Sequence, residues 1–386
     1  MIATCMVAAP VTRRVQGSWV TSAADFLRLE TDWTGLFERA GEDNIFLTFA
    51  WLSTWWKHFA KGELAIITVR NENGCLVAVA PFYIFRTRSG LGARRLGFLA
   101  DDHVGSDYLD ILADPAYLDL AIPEIAQHLV ATPRRWDYME LSDTAESPIA
   151  AALSAELTIH GFRRDEATRR VCHYISLPPD FDTYLSTLST SLRCNYRRRW
   201  RQLQRDHQAT CVTVSTSAEV ERHFPSLLAL HRMRFVQRAE DSAFLAPGVP
   251  EFHVDAMRAL AAQGAVRLLL LQAAGETVSA IYGFAAGRTF QFYQCGMHTD
   301  WLRHGVGQIL IGNAIEQAIA AGHTTFDFLR GDESYKTQWT GQSRSTVTLR
   351  FFDCRPASVM ARVGLKASAT VRAAARRVRA RLQARH

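Results

Sequence analysis

The sequence predicts a mixed α/β protein with two similar units, and three observations carry that prediction. The chain has 386 residues, too many for one small core. Helix-length amphipathic patterns alternate with short apolar runs in both halves. The stretch from Asp300 to Trp339 reads as a glycine-bearing loop, a long amphipathic helix, a buried strand and a dense polar cluster. Such a cluster, just past a strand's carboxyl end, is where α/β proteins build sites.

The elements follow in order. Residues 21–60 read as two helices, and Trp33, Phe37, Phe46, Phe49, Trp51, Trp55 and Trp56 form an aromatic load suited to a core. Leu64 to Arg70 and Cys75 to Phe85 are strand-like runs joined by the hairpin signal Asn71-Glu72-Asn73-Gly74. Pro81 marks an edge or a bulge in the second run. Helical patterns near 117–131 and 147–159 flank a strand from Trp136 to Leu141. After Ala167 a long basic helix is expected over 181–207, then helices over 217–237 and 250–263. A meander follows at Ala265 to Gln272, Thr277 to Ala285 and Thr289 to Gly296, with Ala274-Gly275 and Gly287 at its turns. Helix 306–321, strand Thr324 to Leu329 and a last strand near Thr346 to Phe352 complete the set. Both halves run helices, hairpin, helix, strand, which suggests an internal duplication.

Composition narrows the class. Apolar residues make up 48% and charged residues 21%, as in a globular protein. No uninterrupted apolar run is long enough to span a bilayer. The N-terminal arginines follow a short apolar run, the wrong order for a secretory signal, so a cytoplasmic location is expected. The cysteines, seven in number, show no CxxC spacing, and the histidines show no HExxH, so neither a disulfide framework nor a metal site is expected. Residues 361–386 hold eight basic residues and no acid, and setting them aside takes the net charge from +6 to −2. Val371, Ala375, Val378 and Leu382 stand there at helical spacing among arginines. Residues 361–386 are thus a basic amphipathic tail, suited to an anionic membrane surface; no specific nucleic acid is expected.

Several groups carry candidate chemistry. Gly305 and Gly307 open a helix after Arg303 and His304, where free backbone N–H groups can face a phosphate. No GK[ST] or GxGxxG pattern is present, which argues against P-loop and Rossmann sites. Alternation puts Phe326 and Phe328 on one strand face and Thr325, Asp327 and Leu329 on the other. Asp327 either pairs with an arginine or caps a nearby helix, or else acts as a general base or substrate-orienting acid. Asp332, Glu333, Tyr335 and Lys336 follow at once, with Trp339 beside them. Lys336 is a candidate anion ligand, and Tyr335 and Tyr293 are candidate acids. The His103-to-Asp110 loop offers Asp107 and Tyr108 to a cleft between the halves.

The FDFLRGDESYKTQW segment resembles GNAT-fold acyltransferases of the CelD type, bacterial proteins of cellulose and exopolysaccharide biosynthesis related to the tandem-GNAT Fem aminoacyltransferases. The segments FLTFAWLSTWWKHF, GSDYLDIL and ALHRMRF around His231 add to the resemblance, which spans about Phe26 to Phe352. It implies a tandem GNAT-like fold, with an N-terminal GNAT-like domain over 1–167, a GNAT acetyltransferase domain over 168–355 and the tail over 356–386. The family's pyrophosphate loop is Gln/Arg-x-x-Gly-x-Gly/Ala; Gly305 and Gly307 match, but Leu302 stands at the first position and Arg303 one place late. The resemblance implies acetyl-CoA or another acyl-CoA as donor, held by residues 303–307, and no metal. An amine or hydroxyl of a cell-envelope or polysaccharide precursor is the implied acceptor. A backbone N–H near Tyr293 would hold the oxyanion, Asp327 or Glu333 would take the proton and Tyr335 would give one. Asp107, Tyr108, His231, Asp332 and Trp339 would line the acceptor site. Two other readings are a Fem-like transferase using aminoacyl-tRNA and a non-catalytic GNAT-like scaffold.

Overall fold

The computed structural model describes residues 13–87, 92–132, 135–238 and 241–383. The N-terminal segment with Cys5, and Arg385 of the tail, lie outside them. The first half contains β1 (Val15–Val20), α1 (Ala23–Leu27), α2 (Glu30–Arg39), α3 (Phe49–Phe59), β2 (Glu63–Leu64), β3 (Ile66–Asn71), β4 (Leu76–Ala80), β5 (Phe82–Arg86), β6 (Arg94–Phe98), β7 (Leu112–Ala113), α4 (Leu118–Ala131), β8 (Tyr138–Ala145) and α5 (Pro148–Ile159). The second half contains β9 (Arg163–Ser176), α6 (Phe181–Thr187), α7 (Thr190–His207), β10 (Thr210–Val214), α8 (Ser217–Arg238), α9 (Val249–Ala261), β11 (Val266–Ala273), β12 (Glu276–Ala286), β13 (Thr289–Met297), α10 (Val306–Ala320), β14 (Thr325–Arg330), α11 (Lys336–Trp339), β15 (Ser343–Phe352) and α12 (Pro356–Gln383).

A large sheet runs β10-β11-β12-β13-β14-β9-β15-β8-β6-β5-β2, and a smaller one runs β1-β3-β4-β7. In each half an antiparallel pair leads through a helix to a parallel neighbour. In the first half this is β5-β6, α4 and β8; in the second it is β12-β13, α10 and β14. Parallel neighbours need such a crossover. The two halves thus repeat one order of elements, as their coarse likeness in sequence suggested.

The joint between the halves lies in β9 and β15, which pair from Ser343/His173 to Phe352/Arg163. β9 also pairs with β14, and β15 with β8. The proposed 167/168 division therefore falls inside a strand. β9 escapes sequence reading because Arg163 to Val171 is charged and mostly exposed. It has neighbours on both edges, so main-chain hydrogen bonds hold it without an apolar face.

Two other expectations change. The run from Cys75 to Phe85 is two strands, β4 and β5, in different sheets. Pro81 separates them; it has no N–H for a ladder, and its carbonyl accepts from Leu99 instead. The basic stretch 181–207 is two helices, because Ser189 caps a fresh start by accepting from the Leu192 N–H. The aromatic load of the first half is core: Trp33, Phe46, Trp51 and Trp55 are fully buried. Trp51 also packs edge-on against Phe252, Phe284 and Tyr293 of the second half, so the halves share one interior. No helix among the described residues is long and apolar enough to cross a membrane.

Candidate functional site

α10 begins where Gly305 turns the chain at φ 72°, a left-handed value glycine adopts without strain. No side chain caps the helix, and the N–H groups of Val306, Gly307 and Gln308 meet no acceptor among the described residues. A Cβ at Gly305 would lie 2.6 Å from Nη1 of Arg199, and one at Gly307 would lie 2.8 Å from Cε of Met297. Both neighbours are flexible side chains, so the left-handed turn is the firmer reason for glycine at Gly305. A cavity of about 280 Å³ lies against the turn, lined mainly by apolar atoms of Ile281, Met297, Leu302 and Ile311, with Arg199 and Arg234 at its margin.

β13 and β14 pair only from Thr289/Thr325 to Gln291/Asp327. Beyond that they part, and a cavity of about 510 Å³ occupies the gap. Here β13 carries a bulge. Tyr282 faces Gln294 and Gly283 faces Phe292, so Tyr293 is the extra residue and leaves the local ladder unpaired. The two cavities share Arg234, Cys295 and Tyr335 as walls.

Asp107, His231, Tyr293, Glu333, Tyr335 and Lys336 all line the larger cavity. Asp107 is buried, accepts from the Arg330 N–H at 2.9 Å and lies 3.3 Å from the Arg330 Nε. Burial outweighs that cation and pushes its carboxyl up to about 6. Tyr293 donates to the Val104 carbonyl, and burial raises its phenol. His231 contacts the Cys295 carbonyl through Nδ1 at 2.8 Å and the Ser242 hydroxyl through Nε2 at 2.7 Å. Burial lowers its pKa and so favours a neutral ring. Arg234 sits over the Tyr335 ring at 5.9 Å.

Lys336 differs from expectation. It is 2% exposed and donates to the carbonyls of Leu329, Arg330 and Gly331 at 3.3, 2.8 and 3.3 Å. It also pairs with Glu333 at 2.9 Å. The ammonium closes the carboxyl end of β14, with no donor left for a ligand anion.

Four other expected residues are not brought to this cavity. Asp327 is fully buried and pairs with Arg344, as the arginine-pairing alternative required. Its carboxylate also accepts from the Leu329 N–H at 2.6 Å and from Tyr108 at 3.0 Å. Tyr108 thus serves that pair and faces a separate cavity with Glu42 and Asp110. Asp332 is exposed at the surface beside His173, 3.2 Å away. Trp339 is buried and lines a third cavity of about 820 Å³ beside Arg199 and Gln308. Arg303 and His304 bond to each other at the lip of the turn, outside the lining of the small cavity.

Two arginines escape sequence reading. Arg199 is one of a run, and spacing alone cannot single it out. It turns inward to Gln308 at 3.0 Å, while Arg197 pairs with Asp182 at the surface. Arg234 stands three residues after His231, one turn along α8, and that spacing was the available signal. Its Nη1 contacts Cys295 Sγ at 3.1 Å, and its Nε is buried without a partner. Among the described residues neither arginine has a carboxylate partner, whereas Arg95, Arg330, Arg344, Arg350 and Arg362 each have one. In the larger cavity Asp107 is offset by Arg330 and Glu333 by Lys336, so Arg234 is the uncompensated charge. No group of His, Cys, Asp and Glu among the described residues is arranged to hold a metal.

Residues 190–337 match the family described as acetyltransferase (GNAT) domain. No curated protein matches the sequence. Among solved structures, FemX is 11% identical over 87% of this chain and 96% of its own, with a TM-score of 0.59. A conserved protein of unknown function from Bacteroides thetaiotaomicron is 11% identical over 86% and 99%, with a TM-score of 0.55. L-PGS from Bacillus licheniformis is 12% identical over 86% and 93%, with a TM-score of 0.52. At such identities the likeness is one of fold. The second half carries a GNAT domain, set in a mixed α/β fold of two sheets flanked by helices.

Proposed function

We propose that this protein moves an acyl group from an acyl-CoA to an amine or hydroxyl acceptor held between its two halves. One observation carries the reading: a cavity against an uncapped helix turn meets a cavity in the gap between parallel strands, and they meet at Arg234, Cys295 and Tyr335. Three unpartnered N–H groups and an adjacent guanidinium are what a diphosphate needs. Arg199 supplies the cation that Leu302 does not.

The chemistry then follows from the residues present. The acceptor's lone pair attacks the thioester carbonyl and forms the new C–N or C–O bond. The carbonyl oxygen gains charge, which an unpaired N–H at the Tyr293 bulge is suited to hold. Asp107, which lines the larger cavity, rather than Asp327, which does not, takes the acceptor's proton. A carboxyl near 6 is ionised at neutral pH and basic enough to help. The C–S bond breaks, and the departing thiolate takes a proton from Tyr335. A cell-envelope or polysaccharide precursor as acceptor rests on the sequence resemblance alone.

A second reading, aminoacyl-tRNA as donor, draws on α7, where Arg198 and Arg201 are exposed on the helix that also brings Arg199 to the donor turn. Calorimetric titration with acetyl-CoA and a longer acyl-CoA separates the two. Binding that Gly307→Trp abolishes supports the proposal. No binding of either CoA by the folded protein overturns it, and retention of aminoacyl-tRNA would then favour the second reading.

A further inference from the structure

α12 runs from Pro356 to Gln383, and the two faces of its first turns differ. Ser358, Ala361 and Leu365 are buried, the latter two with Tyr138 and Phe352. Arg362 clamps this turn by two bonds to Asp165, at 2.7 and 2.8 Å. At about 100° per residue, Met360, Val363 and Ala367 fall on the opposite face. Met360 is 60% and Val363 63% exposed, with Val359 beside them at 48%. Three of the chain's exposed large apolar side chains thus crowd into one turn of one helix.

The sequence continues this stripe. Val371, Ala374, Val378 and Leu382 follow at spacings of three and four residues, and the helix runs to Gln383. From Pro356 to His386 there is no acidic residue, while Arg372, Arg376, Arg377, Arg379, Arg381 and Arg385 follow Lys366. From Lys366 to Gln383 the helix reaches about 26 Å at 1.5 Å per residue.

We propose that α12 docks the protein on an anionic lipid bilayer, with the Met360–Val363–Ala367 face entering the headgroup boundary and the arginines meeting lipid phosphates. A nucleic acid would be met by charge alone and would leave the apolar stripe in water. An apolar stripe on a helix whose sequence is rich in arginine and free of acids is complementary to an anionic interface. The clamp at Asp165 fixes which face is presented. This proposal is independent of the acyl-transfer reading, because its test uses no activity.

The test is co-sedimentation of the full-length protein with phosphatidylcholine vesicles, with and without about one-third phosphatidylglycerol. Binding is expected only with the anionic vesicles and is lost near ~0.5 M salt. Met360→Glu/Val363→Glu should weaken it at least about tenfold with the circular dichroism unchanged, since both positions are exposed. Ala367→Glu, on the same face beyond the clamp, is the second variant and should weaken it in the same direction. Failure to pellet with anionic vesicles overturns the proposal, as does equal pelleting with neutral ones. Wild-type binding by the folded variants also overturns it, as does RNA binding by a protein that ignores vesicles.

Discussion

Removing Arg344 should strand a buried carboxylate. Asp327 is fully buried and holds three donors: Arg344, the Leu329 N–H and the Tyr108 hydroxyl. Arg344→Met takes away the cation and leaves two neutral donors. Breaking a buried ion pair costs about 3–5 kcal/mol. Arg344 is itself 45% exposed, so water already screens part of the attraction and can enter when the side chain goes. We therefore expect a loss of about 2–3 kcal/mol. Adding Asp327→Asn to that variant should recover at least half, because the unpaired charge is gone. Urea unfolding followed by tryptophan fluorescence measures both, and acetyl-CoA titration shows whether the site survives. A wild-type midpoint for Arg344→Met would refute the reasoning. If the folded double variant binds donor yet loses all turnover, Asp327 acts in the chemistry and the assignment to Asp107 falls.

Three further outcomes are expected. Arg234→Met should leave the urea midpoint nearly unchanged and lower kcat/KM about 10- to 100-fold, the worth of one hydrogen bond to a charged group; unchanged kinetics would mean that no ligand meets this arginine. Because Asp107 must be ionised to accept a proton, kcat/KM should rise with pH through about 6, and Asp107→Asn should flatten that limb; a limb that persists assigns it elsewhere. Burial pushes the Asp110 carboxyl up to about 7, so the folded state holds this proton more tightly than the unfolded state. Its contribution to stability is present at low pH and is lost as pH rises from about 4 to about 7. Stability profiles should therefore converge at low pH and favour Asp110→Asn at pH ~8; parallel profiles would contradict this.

The long elements were legible in the chain because their signals are local. The helix-length apolar run of 306–321, which is buried on most sides rather than amphipathic, the turn glycines of the 265–296 meander and the hairpin at Asn71–Gly74 each depend on neighbours a few residues away. The same locality made the α10 turn visible, since two glycines before an apolar helix suffice to mark it. Alternation also placed Asp327 on an apolar strand, which called for a partner such as an arginine or for a role in the chemistry.

Tertiary structure decided the rest. β9 has no apolar alternation, because its partners β14 and β15 lie more than a hundred residues on and hold it by main-chain bonds. Only the fold could separate Arg199 from the arginines around it, or show that Arg344 answers Asp327 while no carboxylate among the described residues answers Arg234. Lys336 looks like a ligand in sequence and is a clasp in space. A carboxylate, an arginine or a lysine carries the same charge wherever it stands; which groups lie within a few ångströms, and whether water reaches them, is set by long-range packing. Sequence therefore determined the elements with local signals and the inventory of charged groups, and the fold determined the strands held by distant partners, which charges are already satisfied and which are left for a ligand.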